Sequence, residues 1–292
     1  MNRVEPPTFF DDHVALRALA SNRRLRSYPV LADHVDAISE GYVGYVEANG
    51  NAHAISNVQL PDDVADFLKN HYKSPPSAIS YIGEIRRRSG IRTCPMCGAL
   101  RAGTLDHLLP KEDFPEFAIF GPNLVPGCSC NTLRGRILTG GPNERILHPY
   151  YDDVMRERLL VARIEDLGPV PRICLRSLLD SGHADYASVA FHIDQLINRT
   201  LVVDYLGAEW VKLVQRPKSL STHFRRDPPD RETLVDIVKA ELDRADDHHE
   251  SLNNWDSIFL AGLLDDSVID WLFERFSRPG RSSGSPLISL RA

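Results

Sequence analysis

Apolar residues in the first part of the chain recur at helical spacing. Four of them lie three or four positions apart and would share one helix face: Val64, Phe67, Leu68 and Tyr72. A second helix is predicted from Ile79 to Arg88, because Gly90 then provides a stop signal. The pattern therefore predicts a helical region over residues 1–90.

Beyond residue 153 the pattern is again mostly helical, after one short hairpin. The segments 160–164 and 172–175 are rich in strand-forming residues and flank the turn signal Gly168-Pro169. Two amphipathic helix faces follow, formed by Leu234, Ile237, Val238 and Leu242 and by Trp255, Ile258, Phe259, Leu263 and Leu264. We expect a mostly helical region over 151–278 and a flexible tail over 279–292, which is rich in Gly, Ser and Arg.

Residues 91–150 interrupt this helical periodicity and are rich in Cys, Gly, Pro and Asn. The sequence therefore predicts an α+β fold, mainly α, with a small irregular core between two helical flanks. The chain has 292 residues, of which 42% are hydrophobic and 25% charged, as in ordinary globular proteins. No apolar run approaches the roughly 20 residues needed to span a bilayer, and no secretory signal is visible. We expect a cytoplasmic protein without membrane contact.

Four of the five cysteines form two close pairs, Cys94 with Cys97 and Cys128 with Cys130. In a reducing compartment such pairs indicate a metal site rather than disulfides. Cys-x-x-Cys-Gly is a tight knuckle that points two thiolates at one tetrahedral ion, and structural zinc is the expected metal. The second pair has the tighter Cys-x-Cys spacing, which leaves open whether both of its members bind. Cys174 stands apart, and we expect it to be a small buried apolar side chain.

Between the two cysteine pairs lie residues suited to phosphodiester hydrolysis. That reaction needs an activated water and neutralisation of charge on the phosphate and the leaving oxygen. The carboxylate of Asp106 suits Mg²⁺ or Mn²⁺, and the imidazole of His107 suits a general base. Asn131 directly follows Cys130, so a zinc knuckle would fix its backbone and aim its amide at the same ion. An Asp-His pair alone is a weak signal, but its position between two metal-ligand pairs favours a catalytic function.

The segments Cys94–Cys97, Asp106-His107, Asn123 and Cys128–Asn131 resemble the HNH endonuclease family, in its variant with a four-cysteine zinc knuckle. The resemblance implies a ββα-metal core in which Asp106 is a metal ligand and His107 the general base. It implies that Asn123 ties down the loop that holds the base and that Asn131 is the last ligand of a catalytic Mg²⁺ or Mn²⁺ ion. It also implies products with 5′-phosphate and 3′-hydroxyl ends.

The likeness extends, more loosely, over residues 35–275 of the chain. The flanking motifs resemble those of stand-alone bacterial HNH proteins with helical flanks: Lys73-Ser74-Pro75, Tyr81–Ile85, Phe114–Phe117, Leu147–Asp152, Phe191-His192 and Asn254-Trp255. Many members of that group act in restriction or phage defence, often beside a partner ATPase. For this chain, such a role and partner are expectations from the resemblance alone.

The charge balance is locally positive although the chain carries a net charge of −6. From Glu84 to Arg136 there are eight basic residues, three of them at Arg86–Arg88, and five acidic ones, a local balance of +3. Arg134, Lys111 and Arg136 are the candidates for contacts to nucleic-acid phosphates, which position a substrate without recognising its base sequence. Arg86–Arg88 could equally form a solvated helix end.

The sequence thus predicts a metal-dependent nucleic-acid endonuclease with DNA as the expected substrate. Two alternatives stay open. The four-cysteine knuckle could belong to a non-catalytic nucleic-acid-binding module, which would have no use for Asp106, His107 or Asn131. The same ion chemistry could also serve an RNA-directed nuclease.

Overall fold

The computed structural model describes residues 1–88, 90–219, 221 and 227–288. Over these residues the chain forms ten α-helices and two separate two-stranded antiparallel sheets. The predicted α+β class with a predominance of helix is therefore confirmed. In this part of the chain, every helix is too short or too polar to cross a bilayer.

Four helices precede the cysteine-rich segment: α1 (Asp12–Ala20), α2 (Val35–Glu47), α3 (Asp62–Lys73) and α4 (Tyr81–Arg88). Helix α3 is the one that the apolar pattern predicted, and Val64 and Leu68 on its apolar face are fully buried. Helix α4 corresponds to the second predicted helix but begins two residues later, since Ser77–Ile79 form a short 3₁₀ turn.

The central segment folds as a β-hairpin followed by a short helix. Strand β1 (Thr104–His107) pairs antiparallel with β2 (Leu124–Gly127), and α5 (Cys130–Arg134) follows. In this register Asp106 lies opposite Val125 and His107 opposite Leu124. The long loop between the strands contains two 3₁₀ turns and carries the buried rings of Phe117 and Phe120. This order of elements places Asp106 and His107 at the end of β1, close to the start of α5.

The second hairpin is also confirmed, as β3 (Leu160–Glu165) paired with β4 (Arg172–Ser177). Five helices follow: α6 (Tyr186–Gln195), α7 (Val202–Gln215), α8 (Arg231–His249), α9 (Trp255–Leu263) and α10 (Asp266–Phe276). The prediction that Cys174 is buried was wrong, because its side chain is exposed on β4. Strand residues alternate between faces, and this position belongs to the outer face of the hairpin together with Arg172 and Arg176.

Two clusters of buried apolar side chains lie on either side of the central hairpin. Leu105 and Leu124 belong to the cluster formed with α1–α4, whereas Val125 belongs to the cluster formed with the C-terminal helices. Neighbouring strand residues point to opposite faces, so β2 contributes to both cores. The boundaries predicted at 90, 150 and 278 stay predictions. Apolar packing continues across residues 90 and 150, so the clusters do not themselves divide the chain there.

The described part of the predicted flexible tail is attached to the C-terminal core. Leu287 is buried, and its backbone N–H donates to the carbonyl of Val214 at 2.7 Å. The guanidinium of Arg281 pairs with Asp227 at 2.7 Å. The rest of that tail, residues 289–292, lies outside the described residues. The segment up to Leu287 is therefore anchored by the burial of this side chain, the hydrogen bond to Val214 and the ion pair of Arg281.

Candidate metal centre and catalytic cleft

The four paired cysteines converge on one point. Their sulfur atoms all lie within 4.8 Å of one another, with 3.7 Å between the Sγ atoms of Cys94 and Cys130 and 3.5 Å between those of Cys97 and Cys128. Thiolates bound to a tetrahedral zinc at about 2.3 Å are about 3.8 Å apart, whereas disulfide sulfurs are separated by about 2.0 Å. The four sulfurs therefore fit one tetrahedral metal ion, and both members of the Cys-x-Cys pair belong to the cluster.

The first cysteine pair sits in a tight turn that the C-terminal helices hold in place. The N–H of Gly98 donates to the carbonyl of Cys94 at 2.8 Å, and Gly98 has a φ of +79°. A Cβ at this position would lie 2.0 Å from the carbonyl oxygen of Asn253, so only glycine fits. The indole N–H of Trp255 donates to the carbonyl of Cys97 at 2.9 Å. The knuckle is thus fixed by α9 as well as by its own turn.

Thiol hydrogen bonds from Cys128 and Cys130 hold the pKa of Cys94 well below its ordinary value. The same contacts raise the pKa of Cys97 and of Cys130, because one thiolate in the cluster disfavours the next. A thiolate is the form of cysteine that binds metals, so a bound ion would displace the protons that remain on the cluster. Cys94, Cys97 and Cys130 are buried, while Cys128 is half-buried at the rim of the cluster.

Six of the predicted site residues line one open cleft of about 340 Å³, next to the start of α5. They are the two residues at the end of β1 and four from the following loop, α5 and its C-terminal end: Asp106, His107, Lys111, Asn131, Arg134 and Arg136. In the sequence, 30 positions separate the first of these residues from the last, so only the family resemblance indicated that they meet. The fold brings them together by pairing β1 with β2 and starting α5 directly afterwards.

One ring nitrogen of His107 donates a hydrogen bond, and the other carries a lone pair. Its Nε2 lies 2.8 Å from the carbonyl oxygen of Ala118, and since a carbonyl only accepts, Nε2 carries the hydrogen and donates it. Nδ1 is therefore the unprotonated nitrogen, 3.9 Å from the Oδ1 of Asp106. Burial lowers the pKa of His107 to about 4, so the ring is neutral at neutral pH. A neutral imidazole with one oriented lone pair can accept a proton from water.

The side chain of Asn131 is buried and only half satisfied. Its Nδ2 donates to the carbonyl of His107 over 3.4 Å, whereas its Oδ1 has no hydrogen-bond partner among the described residues. A buried amide oxygen without a partner costs about 1–3 kcal/mol unless something else binds it. Asp106 lies in the same cleft and is about one-third exposed. Carboxylate and amide oxygens are ligands that Mg²⁺ and Mn²⁺ accept, so this pair fits a hard divalent ion.

Asn123 ties together the loop between β1 and β2, as the family resemblance implied. Its Oδ1 accepts from the N–H of Leu109 at 2.8 Å, and its Nδ2 donates to the carbonyls of Leu109 and Phe117 at 3.0 and 3.2 Å. Sequence patterns did not indicate a further partner, the hydroxyl of Tyr45, which donates to the same Oδ1 at 3.2 Å. All of these groups are buried, so the loop that supplies Ala118 to His107 is held rigidly.

Arg134, a predicted phosphate contact, lines the cleft with a side chain that is almost fully buried, and the contact itself stays a prediction. Its guanidinium donates to the carbonyls of Leu108 and Ile137 at 2.9 and 3.0 Å. Burial lowers the pKa of Arg134 to about 10, which leaves it charged at neutral pH. Arg134 therefore clamps the chain on both sides of α5 and contributes positive charge to the cleft from below. Nothing in the sequence next to Arg134 indicated that its side chain would be buried.

Lys111 and Arg136 lie at the mouth of the cleft. The Nζ of Lys111 is 3.2 Å from the carboxylate of Glu112. Arg136 is two-thirds exposed and pairs with Asp113, its Nε lying 2.6 Å from that carboxylate. Exposed ion pairs of this kind are worth at most about 1 kcal/mol, so a phosphate can compete for either cation.

No protein-family model matches the chain, and no solved structure matches it. Over 78 residues the chain is 35% identical to Protein ea31 of Escherichia phage lambda, a stretch that covers 26% of each protein. The chain thus spans about a quarter of the length of this relative. The similarity leaves the family and the activity of the chain to be argued from the cleft and the cysteine cluster themselves.

Proposed function

We propose that the chain is a metal-dependent endonuclease of the HNH type that hydrolyses phosphodiester bonds in DNA, with a structural zinc ion bound by four cysteines. One observation carries the proposal: Asp106, His107 and Asn131 line one cleft, and the amide oxygen of Asn131 is buried there without a partner. A non-catalytic zinc module has no need for a buried, unsatisfied oxygen beside a carboxylate and an imidazole.

In this proposal Nδ1 of His107 takes a proton from a water molecule as the water oxygen attacks phosphorus in line. The bond from phosphorus to the 3′ oxygen breaks, and that oxygen gains a proton from solvent, which leaves 5′-phosphate and 3′-hydroxyl ends. The hydrogen bond from Nε2 to Ala118 keeps the ring in the tautomer that this step requires. A phosphate in the cleft would raise the low pKa of His107, because its negative charge stabilises the imidazolium that forms.

Asp106 and Asn131 are the residues that would hold a catalytic Mg²⁺ or Mn²⁺ ion. Such an ion, when bound, supplies neutralisation of the charge that develops on the phosphate and the departing oxygen. Asn131 directly follows Cys130, so the zinc-bound knuckle would fix its backbone at the start of α5. Arg134 adds a further positive charge below the same cleft.

The proposal is tested by nicking of supercoiled plasmid DNA with Mg²⁺ or Mn²⁺. We expect His107→Ala to reduce the rate by at least about 100-fold, the usual contribution of a general base, and Asp106→Ala to reduce it strongly by removing a ligand of the catalytic ion. Asn131→Ala should raise the Mg²⁺ concentration needed for half-maximal activity, and Asn131→Asp should restore a ligand oxygen. His248→Ala is the matched control, since that histidine is exposed on α8. Full activity of a folded His107→Ala protein would refute the assignment of the base.

The two alternatives give different results in the same assays. A zinc-knuckle binding module would bind nucleic acid but cleave nothing under any divalent metal, and the four-cysteine cluster is the feature that favours it. An RNA-directed nuclease would cleave RNA in preference to DNA of matched sequence. Parallel digestion of matched DNA and RNA substrates therefore separates all three functions.

A cytoplasmic role in restriction or phage defence, beside a partner ATPase or another defence protein, is part of the proposal only through the family resemblance. Its test is the plating efficiency of phages on bacteria that express the chain. Protection that disappears with His107→Ala would support a nuclease-dependent defence function. Equal plating with both proteins, expressed at the same level, would argue against it.

A further inference from the structure

Tyr72, near the end of α3, forms one wall beside the candidate base. Its ring lies edge-on to the ring of His107, with 4.2 Å between centroids and an angle of 61° between planes. Its hydroxyl donates to the carbonyl of Leu105 at 2.5 Å, so the ring is fastened to the strand that carries His107. Any group that this ring orients therefore has a fixed position relative to the base.

Two cations from different elements lie over this one ring. The guanidinium carbon of Arg86, near the end of α4, is 5.3 Å from the ring centroid of Tyr72, and the Nζ of Lys111 is 5.7 Å from it. An aromatic ring attracts cations by about 0.5–1 kcal/mol at exposed sites. Unlike a carboxylate, it carries no net charge that would cancel them. Tyr72 thus holds two cations beside the cleft, of which Lys111 also pairs with Glu112.

These cations continue the cleft toward α3 and α4. Lys111 lines the cleft itself, and Arg86 and its neighbour Arg87 are exposed. One strand of DNA carries a phosphate for about every 3.4 Å of helix axis, so a strand with one phosphate beside His107 presents others to the adjoining surface. Cations at the end of a helix also favour its macrodipole, which is the structural explanation that an experiment must separate from binding.

We propose that Tyr72, Arg86 and Lys111 form a phosphate-binding site for the DNA strand, which extends the cleft onto the N-terminal helices. The site rests on the proposed function, in that a phosphodiester occupies the cleft beside His107. Tyr72 orients the two cations, Arg86 contacts a flanking phosphate, and Lys111 joins this contact to the catalytic cleft. The helical flank is therefore part of the substrate-binding surface.

Binding without cleavage isolates this site from catalysis. The probe is a short fluorescent DNA duplex, titrated with full-length, zinc-loaded protein in buffer without added Mg²⁺, Mn²⁺ or chelator and followed by anisotropy over a series of salt concentrations. We expect Arg86→Gln to weaken binding by roughly three- to tenfold and to lower the slope of log affinity against log salt by about 0.9, one phosphate contact. Arg163→Gln is the charge-matched control, because Arg163 is exposed on the distant hairpin β3–β4.

A second pair of variants tests the ring and controls for folding. Tyr72→Phe keeps the ring and loses the hydroxyl, so binding should stay close to wild type. Tyr72→Leu removes the surface that orients both cations and should weaken binding as much as Arg86→Gln does, with the salt slope again reduced. Melting temperatures of the four variants show whether a loss of affinity reflects unfolding.

Equal affinities and salt slopes for Arg86→Gln, Arg163→Gln and the wild type would overturn the site. A loss of the same size in Arg163→Gln would also overturn it, since it would reflect net charge alone. The fate of the proposed function is read separately from plasmid nicking. If the wild type cuts nothing but Arg86→Gln still binds DNA more weakly than Arg163→Gln, the binding site stands and the nuclease function is refuted.

Discussion

The hydroxyl of Tyr45 lies 3.0 Å from Nε2 of His148 and connects that histidine to the loop that positions the candidate base. Nδ1 of His148 accepts from the N–H of Tyr150 at 3.1 Å, so Nε2 carries the hydrogen and donates it to the hydroxyl of Tyr45. Tyr45 in turn donates to Asn123, which binds both backbone groups of Leu109. The hydrogen bonds thus run in one direction from the segment after the hairpin, through α2, into the loop.

Tyr45→Phe is expected to destabilise the protein by about 1–3 kcal/mol, since it removes the buried hydroxyl that accepts from His148 and donates to Asn123. Nicking activity should fall as well, because Asn123 then holds the loop less firmly. The measurements are urea unfolding and initial nicking rates. Tyr42→Phe is the matched control: its ring is equally buried in α2, but its hydroxyl has no hydrogen-bond partner among the described residues. If both variants lose the same stability, the connection through Tyr45 has no special role.

The purified protein is expected to contain about one zinc ion per chain, bound by the four clustered sulfurs. Cys130→Ser should lose the zinc and lower the melting temperature markedly, because metal binding supplies folding free energy in such sites. Elemental analysis and thermal unfolding measure both effects. Cys174→Ser is the control, since this cysteine is exposed and remote from the cluster. Zinc retained at full occupancy in Cys130→Ser would show that the Cys-x-Cys pair supplies only one ligand.

Arg134→Met tests the structural role of this side chain apart from its predicted phosphate contact. We expect a loss of about 2–3 kcal/mol of unfolding free energy, since two hydrogen bonds from a charged group to the carbonyls of Leu108 and Ile137 disappear. Arg136→Met should cost less than about 1 kcal/mol, because that side chain is exposed and forms only a surface ion pair. A stable Arg134→Met protein that binds DNA weakly would instead support the phosphate contact.

The amphipathic helices and the second hairpin could be predicted because their apolar residues follow a local period. Val64 and Leu68 lie on one buried face as predicted, and β3 pairs with β4 around the predicted turn. The cysteine cluster could be predicted equally well, since the type and spacing of its ligands indicate a metal site. The exposure of Cys174 could not be predicted, because side chains alternate between the two faces of its strand of six residues. Nothing in the local sequence indicates which face meets the core.

The candidate site was predictable in its residue types but not in its supports. Asp106, His107 and Asn131 carry their chemistry in their side chains, so a motif can identify them. Tyr45 and Tyr72 act by long-range contacts. Tyr45 donates a hydrogen bond to Asn123, 78 positions away, and Tyr72 donates one to Leu105, 33 positions away. Such pairings follow from the packing of helices against the hairpin, which a single sequence does not specify.

Stability is expected to fall as the pH is lowered from neutral, because four histidines are buried with a lowered pKa: His71, His107, His148 and His192. Burial lowers the pKa of His107 and His192 to about 4 and that of His148 to about 3. Below about pH 6.5 the unfolded chain binds protons at these three sites and the folded chain does not, so their contribution to stability declines until the folded pKa is reached. Protonation of the cysteines on unfolding acts in the same direction.

Two buried carboxyl groups oppose this decline. Burial raises the pKa of Asp12 and of Glu116 to about 6, so the folded chain takes up protons there before the unfolded chain does. Below about pH 6, these two sites therefore make the acid decline shallower than the histidines alone would give.

Asp12→Asn removes one of these opposing groups and keeps an acceptor for the N–H of Gly121, which donates to Oδ1 at 2.9 Å. The variant should be more stable than the wild type near pH 7.5, because it no longer buries a charged carboxylate. Below about pH 6 its stability should fall more steeply, by about 1.4 kcal/mol more per pH unit. Urea unfolding of both proteins between about pH 5 and pH 7.5, with zinc held at saturation, measures the two slopes. Parallel slopes would mean that Asp12 is already charged at pH 5 in the folded protein and does not act as a buried proton acceptor.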